Sequence, residues 1–394
     1  MRYRHFLPVL VLAGMSQMSH AQSRPASPIT DALQSLVDRG SMAGAVTVVA
    51  DARQVLSLEA VGFADLAARR PMRADDVFWI ASMTKSVTAA GVMLLVDDGK
   101  VSLDDPVERY LPEFADLWLA AERDPDHVLL RRPARKMTVR HLLSHTSGLA
   151  HVSALEHATF ARTGRFEGET PRVLPLELAV RGYVMTPLTR EPGDRWEYCN
   201  AGINTAGRLI EVVSGTRYED FLARRLFEPL GMTDTTFSPT AEQLRRLAKC
   251  YDVTPTGLVD ASPAGTFDPP LTGGRRDPHP AGGLFSTAAD VTRFCQMLLR
   301  RGTAPDGRRV LSEAAIAEMT RAQVRTTDGQ TYGLGLFTGW SGGEGFGHNG
   351  AWSTIMVVNP RRDLITIFLS QHTTWPPGAF DAFGEAVGKS FPRP

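Results

Sequence analysis

The chain has 394 residues, a formal net charge of zero at neutral pH and 22% charged residues. Balanced charge of this kind lacks the basic footprint of a nucleic-acid-binding protein, so no nucleic-acid partner is expected. With 43% hydrophobic residues the chain can bury a substantial core. Its length exceeds what a single-layer core fills, which predicts two lobes.

The N-terminus has the three parts of a secretory signal peptide. Arg2 and Arg4 are positively charged, residues 6–15 are apolar, and Ser19-His20-Ala21 is a small-x-small cleavage site. We therefore predict a signal peptide over residues 1–21 and a periplasmic or secreted mature protein. The apolar segment is too short to span a bilayer and no later one approaches about 20 apolar residues, so no stable membrane insertion is expected. An uncleaved anchor is the alternative.

Three cysteines, Cys199, Cys250 and Cys295, follow the cleavage site. An odd number leaves at least one free thiol in an oxidising compartment, although the sequence does not say which one. The chain is therefore not a disulfide scaffold.

Hydrophobic periodicity predicts strands near both ends of the chain and helices between them. The predicted helices cover residues 29–39, 82–99, 139–144, 200–214, 218–226, 288–301, 313–321 and 380–389. The predicted strands cover residues 43–50, 56–63, 332–338, 345–348, 353–358 and 364–370. This order predicts one antiparallel sheet built from both termini, flanked by helices, with a helical region inserted. We assign residues 22–80 and 281–394 to an α/β lobe and residues 81–280 to a mainly helical lobe.

Ser82-Met83-Thr84-Lys85 lies at the start of the second predicted helix. Residues three apart share one helical face, so the Lys85 amine can reach the Ser82 hydroxyl. A desolvated lysine loses its proton near neutral pH and can activate a serine for acyl transfer. The pattern S-x-x-K therefore indicates a nucleophile with its own base, although a capped helix with a solvated lysine has the same four letters.

Two further segments resemble motifs of one enzyme family. They are Trp196-Glu197-Tyr198-Cys199-Asn200-Ala201-Gly202 and Phe346-Gly347-His348-Asn349-Gly350-Ala351-Trp352. With the S-x-x-K they resemble the ordered S-x-x-K, Y-x-N and K/H/W-x-G motifs of the penicillin-recognising serine hydrolases. Segments 142–149 and 281–290 resemble the branch that holds class C beta-lactamases, family VIII carboxylesterases, D-aminopeptidases and DD-peptidases. The resemblance implies a beta-lactamase/transpeptidase-like fold, α/β plus all-α, with the active site between the lobes.

The resemblance also implies roles for the motif residues. Ser82 is the expected nucleophile, and Lys85 is the expected base, held by Asn200 and Tyr198. We interpret Tyr198 as a phenol whose phenolate is favoured by the neighbouring ammonium, so that the pair shares the proton taken from Ser82. The sequence does not decide which of the two holds it.

The third motif is expected on an edge strand that lines the cleft. Gly350 lets the backbone approach the substrate, and the N–H groups of Ser82 and Ala351 form the expected oxyanion hole. His348 stands where many beta-lactamases have lysine. Because histidine is largely neutral at pH 7, a permanent cation for a substrate carboxylate is missing, which disfavours efficient beta-lactam hydrolysis.

Two rival sites were weighed. Gly339-Trp340-Ser341-Gly342-Gly343 fits the G-x-S-x-G nucleophile elbow, but glycine-rich residues follow it where that motif needs a helix, so we predict a hairpin loop. His141 and His145 have the i, i+4 spacing of a metal pair. Without a glutamate between them or a third ligand, a capped and packed helix end is the better interpretation.

The sequence therefore predicts an exported serine hydrolase that forms an acyl-enzyme on Ser82 and needs no metal or cofactor. Its small-molecule substrates are predicted to be carboxylic esters with small to medium acyl groups. A beta-lactamase, DD-peptidase or D-aminopeptidase is the first alternative. The second is a binding protein without catalysis that holds cell-wall peptides, although a pure binder needs no base. Acyl preference and oligomeric state are not readable from the sequence.

Overall fold

The computed structural model of the protein describes residues 27–124, 126–151, 175–261 and 274–392. The predicted signal peptide, residues 1–21, lies outside them. The α-helices that position the site are α1 (Pro28–Asp38), α2 (Thr84–Asp97), α3 (Val139–Leu143), α4 (Leu176–Val184), α5 (Asn200–Ser214), α6 (Tyr218–Leu222), α7 (Ala241–Arg246), α8 (Ala288–Leu299), α9 (Glu313–Thr320) and α10 (Ala379–Ser390). A π-helical turn, Ala223–Phe227, continues α6.

The strands form one large sheet and three small two-stranded sheets in the described part of the chain. They are β1 (Gly44–Ala50), β2 (Val55–Asp65), β3 (Arg70–Pro71), β4 (Phe78–Trp79), β5 (Leu119–Arg123), β6 (Val128–Arg131), β7 (Tyr251–Thr254), β8 (Gly257–Asp260), β9 (Phe285–Ser286), β10 (Val324–Arg325), β11 (Thr331–Tyr332), β12 (Phe337–Gly339), β13 (Gly345–Gly350), β14 (Thr354–Asn359) and β15 (Leu364–Ser370).

Strands from both ends of the chain make up the large sheet, in the order β10-β11-β12-β13-β14-β15-β1-β2-β3. The two ends meet where β1 pairs antiparallel with β15, with Val46 opposite Leu369 and Val48 opposite Ile367. All seven residues of β1 are buried, so this strand is covered on both faces. The antiparallel sheet predicted from the sequence, with helices inserted between its two halves, is confirmed.

The larger core lies between one face of the sheet and the helices that the middle of the chain supplies. Val46 and Val48 from β1 join side chains of α2, α5 and α8 in it. Twelve of the fourteen residues of α2 are buried, so this helix runs through the centre of the molecule. Residues at its N-terminal end are consequently held by packing on every side.

A second core covers the opposite face of the sheet. Ala45 and Val49 alternate along β1 with Val46 and Val48, and they pack with residues of α1 and α10, the first and last helices. Alternation with period two along β1 sends successive side chains to the two cores. Among the described residues, no helix is both long enough and apolar enough to cross a membrane.

One predicted strand is wrong. Residues 332–338 form a hairpin in which Tyr332 pairs with Phe337, and not one continuous strand. The turn includes Gly335, whose φ is +71° and whose Cβ position lies 2.6 Å from the Lys85 carbonyl oxygen. Only glycine fits so close to α2 with that backbone, so the chain turns here.

Candidate active site

Ser82 lies in a strained turn between β4 and α2. A short 3₁₀ turn, Ala81–Met83, leads into the helix, and Ala81 has a φ of +44°. A left-handed backbone costs a non-glycine residue about 1–2 kcal/mol. The pairing of β4 with β9 and a hydrogen bond from the Thr84 hydroxyl to the Ala81 carbonyl (2.6 Å) hold the turn in place.

Lys85 lies one turn further on and is fully buried. Its Nζ is 3.0 Å from Ser82 Oγ and donates to the Ala281 carbonyl oxygen at 2.6 Å. The structure thus brings the two S-x-x-K residues together as the sequence predicts. Burial lowers the pKa of Lys85 to about 7, because the ammonium form has lost its hydration.

Tyr198 closes the other side of this pair. The Lys85 Nζ lies 4.6 Å from the centre of its ring, and the Ser82 and Tyr198 side chains are hydrogen-bonded. Burial raises the pKa of the Tyr198 phenol above its ordinary value, and the bond with Ser82 offsets only part of this. The expected shift toward the phenolate is therefore wrong, because burial moves the pKa of Tyr198 upward and favours the neutral phenol.

The carbonyl that accepts from Lys85 is itself fixed by a residue that sequence reasoning missed. Asn204 Oδ1 accepts the Ala281 N–H at 3.0 Å, and its Nδ2 donates to the Tyr183 hydroxyl at 2.9 Å. Asn204 is buried one turn after Asn200 on α5. A polar residue on the buried side of this helix was the available signal.

Asn200 begins α5 and carries a buried Oδ1 that makes no hydrogen bond to any described residue. The sequence predicts that Asn200 holds Lys85. Among the described residues, the Lys85 amine instead hydrogen-bonds to Ser82 and Ala281, so the predicted hydrogen bond from Lys85 to Asn200 is not formed.

His348 is fully buried and both ring nitrogens have protein partners. Nδ1 lies 2.7 Å from the Asn349 carbonyl and Nε2 lies 3.2 Å from the Tyr332 hydroxyl. The carbonyl can only accept, so Nδ1 carries the proton and Nε2 accepts from Tyr332. Burial, with Lys85 nearby, lowers the pKa of His348 to about 3. The imidazole is consequently neutral throughout the physiological range.

The strand that carries His348 is not an edge strand in the large sheet, contrary to the prediction. β13 lies between β12 and β14, but β12 pairs only with Phe346 and Gly347. His348, Asn349 and Gly350 pair on one side alone, with β14. The end of β13 therefore has a free edge because β12 is short.

Gly350 allows the end of β13 to pack closely against the turn that contains Ser82. Its Cβ position lies 2.4 Å from the Ile80 carbonyl oxygen and 2.3 Å from Thr354 Oγ1, so a side chain has no room. The close approach is to the backbone just before Ser82. Ala351, which is exposed, follows in the turn to β14. The two predicted oxyanion donors, Ser82 and Ala351, thus belong to segments that Gly350 joins.

His145 is a second residue whose position the sequence did not reveal. Its ring lies 4.5 Å from that of Tyr198 and 5.0 Å from that of Tyr332, and its Nδ1 accepts the Cys199 N–H at 3.2 Å. Burial holds its pKa well below the usual value. His141 instead caps α3, where its Nδ1 accepts the N–H of Thr138. The two histidines therefore serve separate local structures.

The rival serine is elsewhere. Ser341 lies between β12 and β13, which pair with each other, and its φ of +54° is not helical. A nucleophile elbow needs a strand followed by a helix, so the hairpin prediction is confirmed. Cys199, Cys250 and Cys295 are buried, and none of them is in a disulfide in the described part of the chain.

A serine in a strained turn, a buried lysine at hydrogen-bond distance and an antiparallel sheet with an inserted helical region define a serine hydrolase that acts through an acyl-enzyme. The chain belongs to the Beta-lactamase family, whose model matches residues 29–387.

Relatives carry different activities in their names. The chain is 33% identical to lovastatin esterase of Penicillium rubens over 297 residues, which cover 73% of this chain and 70% of the relative. It is 34% identical to penicillin-binding protein 4 of Amycolatopsis lactamdurans over 327 residues, covering 80% and 77%. The solved structure of EstCE1, a hydrolase with promiscuous acyltransferase activity, has the same fold, with a TM-score of 0.75, 23% identity and 91% and 97% coverage.

Proposed function

We propose that the protein is a carboxylesterase that forms an acyl-enzyme on Ser82, with Lys85 as the base and Tyr198 as a proton-carrying partner. The observation that carries this proposal is the 3.0 Å contact between a fully buried Lys85 amine and Ser82 Oγ. A buried amine with a pKa of about 7 is half unprotonated at neutral pH and can accept the serine proton.

In the proposed reaction, Ser82 Oγ attacks the ester carbonyl carbon and its proton passes to the Lys85 amine. The carbonyl electron pair moves to oxygen, which accepts hydrogen bonds from the N–H groups of Ser82 and Ala351. The bond to the alcohol oxygen then breaks, and the alcohol leaves with the proton held by Lys85, relayed by the Tyr198 phenol. Water, deprotonated by the same amine, then attacks the acyl carbon. The bond from that carbon to Ser82 Oγ breaks, the acid leaves, and Oγ takes the proton back from Lys85.

The preference for esters rests on His348. A neutral, buried imidazole whose two nitrogens already have partners offers no charge to a substrate carboxylate. Hydrogen bonds to charged groups contribute about 1.5–3 kcal/mol, so a carboxylate-bearing lactam lacks that stabilisation here. Arg275, a possible substitute cation, is engaged by Glu219 and Asp220. One similar protein, lovastatin esterase, is named as an esterase, which agrees with this preference.

Export is part of the same proposal and rests on the sequence of residues 1–21. A charged start, an apolar segment and a small-x-small site favour cleavage after Ala21 and release on the far side of the membrane. N-terminal sequencing of protein recovered from a periplasmic or culture fraction tests it. A start at Gln22 supports export, and an intact Met1 in a soluble cell extract contradicts it.

A parallel rate comparison tests the substrate class. We expect short p-nitrophenyl esters to be hydrolysed with a kcat/KM at least about a hundredfold above those for nitrocefin and for D-alanyl peptides at pH 7.5. Ser82→Ala, with its single missing oxygen, serves as the control for background hydrolysis. Equal or greater kcat/KM on nitrocefin contradicts the esterase assignment.

A further inference from the structure

A cavity of about 860 Å³ lies beside the catalytic residues without containing them. Its walls are largely apolar and include five aromatic residues, which are Trp196, Phe337, Trp340, Trp375 and Phe380. Volumes of 300–1,000 Å³ with apolar walls and a few polar groups are typical of small-molecule sites. The cavity is therefore large enough for a bulky organic group.

The register of the sheet places two lining residues, Phe337 and Val357, on one face with Gly347 between them. Phe337 stands opposite Gly347 and Gly347 opposite Val357, so these three positions point to one face of the sheet. Gly347 has no side chain to fill that face, and its Cβ position would meet the Trp340 ring at 3.1 Å. Trp340 stacks on Phe337, with ring centres 5.4 Å apart, and forms a flat wall over the gap.

Three wall residues contact the catalytic centre directly. Trp196 lies 6.1 Å from the Tyr198 ring and Phe337 lies 5.3 Å from the His348 ring, measured between ring centres. Asn349, also in the wall, is the middle residue of the third motif. The cavity therefore adjoins the catalytic centre, with Trp196 and Phe337 at the boundary between them.

The charge of the cavity restricts its occupant. Among the described residues, those that line the cavity include the carboxylates Asp328 and Asp381 and no lysine, arginine or histidine. Aromatic faces attract cations and tolerate neutral rings, whereas carboxylates repel an anion. The lining therefore favours an apolar group that is neutral or positively charged.

We propose that this cavity binds a bulky aromatic or alicyclic group, uncharged or cationic, of the ester substrate and thereby sets substrate specificity. This inference rests on the proposed esterase function. The group can belong to the acyl or the alcohol part of the ester, since both share the same chemistry, and the test below distinguishes them.

The test compares three esters by proton release: methyl acetate, methyl 2-naphthylacetate with a bulky acyl part, and 2-naphthylmethyl acetate with a bulky alcohol part. We expect one naphthyl ester to exceed methyl acetate in kcat/KM by about tenfold or more, which identifies the part that is bound. Trp375→Ala should reduce this ratio by about tenfold. Trp118→Ala removes an exposed tryptophan outside the cavity and should leave the ratio unchanged.

Charge gives a second, independent readout on residues at the exposed rim. A naphthyl ester with a ring carboxylate should have a lower kcat/KM than the same ester with a trimethylammonium group, by about tenfold. Asp381→Lys should reverse that order without loss of folded protein, since Asp381 is exposed. Ratios that stay the same in both Trp375→Ala and Asp381→Lys overturn the proposal.

A binding measurement separates this proposal from the proposed function. Calorimetric titration of the Ser82→Ala variant with N-(2-naphthylmethyl)acetamide, which is not an ester, reports on the cavity alone. If no ester is hydrolysed but the amide binds and Trp375→Ala weakens it about tenfold, the esterase function fails and the cavity assignment stands. If esters are hydrolysed but the amide does not bind, the cavity assignment fails.

Discussion

At the residue scale, the Lys85 amine lies where its charged form is unstable. The side chain is fully buried, yet within the described residues its nitrogen contacts a hydroxyl, a carbonyl oxygen and the face of an aromatic ring. None of these is a full negative charge, so the ammonium form is penalised and the pKa falls to about 7. A lysine is thereby converted into a base suited to neutral pH.

The pH dependence of turnover should report this pKa. Below about pH 7 Lys85 is protonated and cannot accept the serine proton, so kcat/KM should fall about tenfold per pH unit there and be level above it. Lys85→Met keeps the chain length without the base and should lower kcat by more than about a hundredfold at every pH. A wild-type profile that is flat from pH 5.5 to 8.5 contradicts the assignment.

His348 should tolerate a neutral substitute better than a cation. Glutamine can also donate to the Asn349 carbonyl and accept from Tyr332, as the imidazole does. Lysine at this position instead places an ammonium in a buried site close to Lys85. We expect His348→Lys to lower the thermal midpoint by several degrees and His348→Gln to keep most of it, measured by calorimetry. Equal midpoints contradict the account. Protonating His348 to accept carboxylate substrates would need a pH near 3, so this route is closed at working pH.

At the element scale, two segments far apart in sequence meet at Ser82. The end of β13 contacts the serine turn through Gly350, and the segment around Ala281 contacts Lys85 on the other side. Each contact positions one side of the catalytic site. The geometry of the site therefore depends on how the sheet packs against α2 as well as on the three motifs.

Two glycine-to-alanine substitutions should distinguish the contact between Gly350 and the Ile80 carbonyl from the general effect of replacing a glycine with alanine. A methyl group on Gly350 would lie 2.4 Å from the Ile80 carbonyl, so Gly350→Ala must shift β13 away from Ser82 and should lower kcat at least tenfold. Gly388→Ala is the matched control in α10, where nothing lies within 4 Å. It should leave kcat unchanged and raise the free energy of unfolding by about 0.5–1 kcal/mol. Normal turnover in Gly350→Ala contradicts the proposed contact.

Sequence periodicity predicted most helices and strands correctly. It failed where contacts between distant parts of the chain determine the backbone conformation. Residues 332–338 alternate in a strand-like pattern, yet Gly335 must turn there to pass the Lys85 carbonyl. The pairing of Ser82 with Lys85 follows from helical spacing alone. The Asn204 contact with Ala281 spans 77 residues, and the protonated state of Tyr198 depends on burial. Neither has a local sequence signal.

At the scale of the whole molecule, the interior holds many neutral histidines. Burial lowers the pKa of His141 and His372 from the ordinary value of 6.5 to about 4, that of His348 to about 3, and that of His145 to well below the usual value. Their protonation is therefore coupled to unfolding.

The sign of this coupling predicts acid sensitivity. Between pH 6.5 and about 4 the unfolded chain binds protons on these histidines and the folded chain does not. Their contribution to the free energy of unfolding is therefore fully present above pH 6.5 and is lost as the pH falls. Each histidine contributes up to about 1.4 kcal/mol per pH unit. Urea midpoints at pH 8, 6.5, 5.5 and 4.5 should fall steeply over the last three. His372→Gln should flatten the slope, and His127→Gln, at an exposed site, should not. Equal midpoints at pH 8 and 4.5 contradict the prediction.

The most direct test of the central claim is the site and pH dependence of acylation. The protein is treated with a fluorophosphonate at pH 5.5 and pH 8, and the modified peptide is identified by mass spectrometry. The account predicts an adduct on Ser82 that forms at least about tenfold faster at pH 8, because Lys85 is then unprotonated, and that is absent in Ser82→Ala. An adduct on Ser341, or labelling of Ser82→Ala at the wild-type rate, would contradict it.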